Sequence, residues 1–136
     1  MIPIYQNRDK KIKGTLISSD GTPIDIKTLT GIAIWLTYID GTIFVKYSMN
    51  MTSVDDVNLS RLGFKQLKIV DYANGIIRMV IEQNDTANAV TGVLNFFAEI
   101  QYSDKDVLTG IFHKETKTIE NFAEILTAVN DNVKNI

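Results

Sequence analysis

Cysteine is absent from the 136 residues. That removes disulfides, thiolate nucleophiles and Cys-ligated zinc or iron, and it leaves the redox compartment open, because a thiol-free chain suits either. Histidine occurs once, at His113. A Ser-His-Asp triad can be built on a single histidine, but no nucleophile elbow accompanies "GIFHKET". A histidine-based metal site lacks its partners. No apolar run approaches the roughly 18 residues of a spanning helix, and "MIPIYQNRDKK" lacks the apolar stretch of a signal peptide. Neither membrane spanning nor secretion by the usual route is expected. Charge of one sign is missing too: 14 basic against 16 acidic residues give a net −2, no electrostatic footprint for nucleic acid or an anionic membrane. The one basic cluster, Lys10, Lys11 and Lys13 beside Asp9, reads as a solvated face.

Glycines are scattered at turns and form no phosphate-binding loop or dinucleotide fingerprint. Paired carboxylates occur at Asp55-Asp56 and Asp104/Asp106. Adjacency in a loop says nothing of the spatial separation that glycosidic chemistry needs, and "DKD" lacks the spacing of a calcium loop. The reading is therefore of a chain with no catalytic residue, metal ligand, cofactor or small-molecule substrate.

What is present is alternation. Turn-forming clusters, "SSDGTP", "IDGT", "YANG", "VTGV" and "YSDKD", cut the chain into short segments. Between them the period is two. Ile12 and Leu16 share a face; so do Ile32, Ile34, Leu36 and Tyr38. The same holds for Ile43, Val45 and Tyr47, for Ile77, Met79 and Ile81, and for Leu94, Phe96, Ala98, Ile100 and Tyr102. Such patterning predicts half-buried antiparallel strands, with Asp40-Gly41 a tight hairpin. Many short strands in one 136-residue domain predict an all-β sandwich or barrel. Asn50–Leu67 is expected to be a long loop with at most one helical turn, and Gln83–Val90 a helical or looped crossover.

Two regions carry more apolar surface than the strand pattern uses. Trp35, Ile39, Ile76 and Val80 point away from the core faces, so either the chain itself or a partner must cover them. Towards the end, Ile119, Phe122, Leu126, Val129, Val133 and Ile136 fall at helical spacing within a stripe about 140° wide. "FAEILTAV" alternates as well, with Ala123, Ile125, Thr127 and Val129 on one face. The segment 119–136 therefore reads as helical in part or as a closing strand, docked at home or on a neighbour.

The ordered set "YQNRDKKIKGTLISSDGTPIDI", "IAIWLTYIDGTIFVKYS", "GFKQLKIVDYANGIIRMVIEQNDT" and "TGVLNFFAEIQYSD" resembles the immunoglobulin-like domain at the N-terminus of phage baseplate upper proteins. Related modules occur in phage tail, neck and head-fibre proteins. The resemblance runs from about Tyr5 to Ile111. It implies an immunoglobulin-like β-sandwich and a structural protein of the virion, made in the host bacterial cytoplasm. Such a protein would form homo-oligomers and attach to other virion proteins without enzymatic activity. The longer Asn50–Leu67 loop and the Ile119–Ile136 ending depart from the family pattern and favour a small component: a head-fibre base, a decoration protein or a tail adaptor. Interaction residues are then expected in an N-terminal arm, residues 1–9, through Ile2 and Ile4 adding a strand to a neighbour's edge. Trp35 and the C-terminal stripe would supply further contacts. A carbohydrate- or receptor-binding module, stacking sugars on Trp35 or Tyr72, is the alternative.

Overall fold

The computed structural model describes residues 1–50 and 63–128. Among them the strands are β1 (Ile2–Tyr5), β2 (Lys10–Thr15), β3 (Leu29–Tyr38), β4 (Ile43–Asn50), β5 (Lys65–Gln66), β6 (Lys68–Asp71), β7 (Ile76–Ile81), β8 (Gly92–Lys105) and β9 (Phe112–Leu126). One short helix, α1 (Gln83–Thr86), and a 3-10 turn (Ile26–Thr28) accompany them. The protein is mostly β, as the alternation predicts. A six-stranded mixed sheet, β1-β9-β8-β3-β4-β5, curves as a half-barrel and faces a three-stranded antiparallel sheet, β2-β7-β6.

Period-two patterning explains the two layers. Ile32, Ile34 and Leu36 of β3, Leu94, Phe96, Ala98 and Ile100 of β8, and Val45 and Tyr47 of β4 are buried from the large sheet. Ile12, Ile77, Met79 and Ile81 meet them from the small one. Each fully buried Ile or Leu contributes about 1.5–3 kcal/mol over leaving it in water. Tyr47 is the largest fully buried side chain. It crosses the interior to donate from its hydroxyl to the Val80 carbonyl at 2.6 Å. That carbonyl is available because the β6–β7 ladder stops at Lys68 and Arg78.

The chain changes sheets four times, between β1 and β2, β2 and β3, β5 and β6, and β7 and β8. The first is clamped to the β7–β8 crossover. The Thr86 hydroxyl, fully buried, accepts from the Arg8 N–H at 3.2 Å and lies 3.0 Å from the Arg8 carbonyl, to which it donates. The Gln83 N–H donates to the Asp9 carboxylate at 2.6 Å. The Asn74-Gly75 turn is fixed by contact as well as by dihedral: Gly75 has φ +67°, and a Cβ there would stand 2.7 Å from the Ile24 carbonyl oxygen and 2.8 Å from that of Leu16.

One expectation is corrected, and two readings that the sequence left open are decided. Residues 1–9 do not form a free arm. Ile2–Tyr5 pairs in parallel with β9 of the same chain, Ile2 facing Ala123 and Tyr5 facing Leu126, and Ile4 is fully buried, so it offers nothing to a neighbour. The described part of 119–136 is not helical. It continues β9 to Leu126, with Ala123 and Ile125 in the core, because the period-two face completes the large sheet whereas a helix would leave β8 without its partner strand. Trp35 is half-buried by its own chain: its ring lies 5.7 Å from that of Phe64 and 5.4 Å from that of Phe97. Val129, Val133 and Ile136 lie outside the described residues, as do residues 51–62 of the loop expected over Asn50–Leu67, whose described end instead carries β5.

Candidate functional site

Among the described residues, Asp20, Asp40, Asp71 and Asp106 are occupied with holding turns. Asp20 accepts from the Ser18 hydroxyl and from the Thr22 hydroxyl and N–H, which bring its carboxyl down to about 2. The Thr42 N–H lowers Asp40, and the Asn74 side-chain amide followed by its N–H lowers Asp71. Asp106 is held low by the N–H groups of Thr109 and Leu108, at 2.9 and 2.8 Å. In each case an acceptor carboxylate satisfies backbone donors that the tight turn leaves without a ladder partner.

The linkage follows in sign. These folded values lie below the ordinary carboxylate value of 3.8, so the stabilisation is complete above that pH and is lost as pH falls through the folded values. Thermal melts are expected to be flat down to about pH 4 and to decline between about pH 4 and 2. Asp20→Asn should flatten the lower part of that decline. An identical decline in the variant would remove Asp20 as its source.

His113 sits on the surface of β9, its ring 5.1 Å from that of Tyr102 and its Nε2 3.9 Å from Glu115. Among the described residues no cluster of His, Cys, Asp or Glu could hold a metal ion. Asp55-Asp56 lies outside those residues. Asp104 and Asp106 flank the end of β8, where Asp106 caps the hairpin turn.

The surface is more informative than the acids. β8 and β9, at 14 and 15 residues, are the longest strands and form one hairpin. β3 pairs with β8 only as far as Tyr102, so the hairpin continues alone and projects. Its turn closes through Asp106 N–H to the Ile111 carbonyl and Gly110 N–H to the Asp106 carbonyl, both 2.9 Å. At the tip Val107 and Leu108 are 98% and 95% exposed. No core pattern claims these two. The signal in the sequence is an apolar pair in the middle of a turn cluster, "DKDVLTG", where turn formers alone are expected.

β9 has a free side. β1 covers it only from Ala123 to Leu126, and among the described residues nothing pairs with that side between Phe112 and Phe122. Next to this edge, between β9 and β2, the two sheets stand apart. The opening is an apolar groove of about 310 Å³, walled by Ile2, Ile12, Met79, Phe96, Ile119 and Phe122. Ile119 is 49% exposed there. Where the free edge meets the covered part, Asn121 takes φ +53° and its N–H donates to the Asn95 side-chain oxygen at 3.0 Å, at a bulge that shifts register between Leu94 and Phe96. Of the sequence-expected contact residues, Ile2, Ile119 and Phe122 therefore come together at one groove. Leu126 pairs with Tyr5 beyond it, and Trp35 belongs to the large sheet's other face. No family model, curated protein or solved structure matches the chain, so the open edge, the groove and the apolar tip are what its function has to be argued from.

Proposed function

We propose that this chain is a non-enzymatic structural protein of a tailed-phage particle: an immunoglobulin-like sandwich that self-associates and attaches to other virion proteins. Strand order supports the immunoglobulin-like part. Taken as A to G, with β4 and β5 as C′ and C″, the larger sheet holds C, C′, F and G and the smaller holds B, E and D, as in variable-type domains. The first strand has moved to the G edge, and β5 departs by running parallel to β4. Two turn motifs on which the resemblance to phage baseplate modules rests fall at hairpins of this scheme, Asp40-Gly41 between C and C′ and Asn74-Gly75 between D and E.

The observation that carries the binding role is the projecting hairpin with its bare Val107-Leu108 tip. Water-exposed apolar side chains at the tip of a projecting hairpin are costly unless a partner covers them. The sugar-binding alternative has less support at Trp35, since Phe64 and Phe97 already pack against that ring, and otherwise rests on the exposed Tyr72 alone. Mass spectrometry of purified particles tests the assignment. The chain is expected among the structural proteins at a fixed copy number. Its absence from intact particles, with the protein left in the lysate supernatant, overturns the reading.

A further inference from the structure

We infer that the free side of β9 is the interface with a second copy of this chain, paired antiparallel about a two-fold axis that passes through Thr116. The inference rests on the self-association proposed above but not on the particle assignment.

The edge itself selects the register. A two-fold axis normal to the sheet keeps the inner faces on one side, so each residue faces the one equally far beyond the axis. Centred on Thr116, Glu115 faces Lys117 of the second copy and Lys117 faces its Glu115. Lys114 faces Thr118, and His113 faces Ile119. Centring on Lys114, Glu115 or Lys117 places like charges against each other on the axis, which destabilises a cross-strand pair. Centring on Thr118 sets Lys117 against Ile119 and makes no opposite-charge pair. Of the registers between Lys114 and Thr118, only the Thr116 one matches both signs.

Two further features fit the same arrangement. Glu115 Oε2 is buried without a hydrogen-bond partner, although Lys117 Nζ of its own strand lies 3.3 Å away. In the Thr116 register the lysine of the second copy arrives opposite that carboxylate. Beyond the ladder, Phe112 faces Glu120 and Ile111 faces Asn121 of the other copy. The hairpin tip then falls beside Phe122 and Ile2, at the mouth of the apolar groove. Val107 and Leu108 of each copy cover the groove of the other, so both exposed apolar surfaces are buried by one operation. The Asn121 bulge ends the ladder where the tip must turn inward.

Sedimentation equilibrium of the full chain tests this. The wild-type chain is expected to dimerise, and Lys117→Glu, which opposes two carboxylates twice across the axis, should weaken the dimer by about tenfold or more. The exchange Glu115→Lys with Lys117→Glu restores the pairs and should return the constant to within about threefold of wild type. Leu108→Asp, at a position too exposed to affect folding, should weaken the dimer without touching the ladder. A wild-type chain that stays monomeric at about 100 µM, a dimer on which neither Lys117→Glu nor Leu108→Asp acts, or an exchange variant as weak as Lys117→Glu alone overturns the interface.

Discussion

Tyr47→Ala is expected to lower the unfolding free energy by about 3–5 kcal/mol, within the range for removing a large aromatic side chain from a core. The ring is fully buried between the two sheets, so its loss opens a cavity that two separately hydrogen-bonded layers cannot close. The Val80 carbonyl is also left without its 2.6 Å donor. Tyr47→Phe separates the two contributions. It keeps the ring and strands only the carbonyl, for an expected loss of about 1–3 kcal/mol. Urea denaturation followed by tryptophan fluorescence measures both, because Trp35 lies on β3, the neighbour of β4. Desolvation, with the nearby charges of Asp85 and Glu82, pushes the Tyr47 phenol above its ordinary value. The hydroxyl therefore stays protonated, and the bond intact, through the neutral range. Equal losses for Ala and Phe would mean that the hydrogen bond, and not the volume, is what holds the layers together there.

Gly75→Ala should cost about 2–5 kcal/mol. An alanine at φ +67° carries the left-handed penalty of about 1–2 kcal/mol. Its Cβ would also press on the carbonyl oxygens of Ile24 and Leu16 at 2.7 and 2.8 Å, an overpacking worth about 1–3 kcal/mol. Those oxygens have little room to retreat. The Leu16 carbonyl accepts from the Ile24 N–H at 2.9 Å, and the Leu16 N–H donates to the Gly75 carbonyl at 2.8 Å. Gly41→Ala is the control: its φ of +89° is as unfavourable, but a Cβ there meets nothing within 4 Å. The difference between the two variants in thermal or urea unfolding is the cost of contact alone. If the two lose the same stability, the close approach at Gly75 is relieved by the backbone and the contact argument fails.

Five strands, β2, β3, β4, β7 and β8, were readable because each buries one face, whereas β5 and β6, short and without a buried residue, were not. Ile77, Met79 and Ile81 declare β7 in three alternate positions, and the Asn74-Gly75 pair ahead of them could serve only as a turn. The C-terminal segment was harder, since Ile119, Phe122 and Leu126 satisfy a 3.6-residue period while Ala123 and Ile125 satisfy a period of two. Pairing with β8 and β1 decided between them, and no local window contains that information. The bulge at Asn121 is the reason for the ambiguity. Extra residues on one strand shift Ile119 and Phe122 into apparent helical spacing while both still border the groove. Ile2 and Ile4 misled in a similar way. Alternation gave them correctly as a strand but said nothing of whose sheet they would join. The free edge of β9 was invisible for the same reason, being defined by where β1 stops.

Parallel pairing of Ile2–Tyr5 with Ala123–Leu126 has a consequence for how the molecule is made. These lie near the two ends of the described residues, so the contact closes a long loop and contributes to a high contact order. A ribosome-bound nascent chain holds β1 ready but cannot give it a neighbour until β9 has cleared the exit tunnel. Completion of the larger sheet therefore waits for β9, and until then the N-terminal strand has its backbone unpaired.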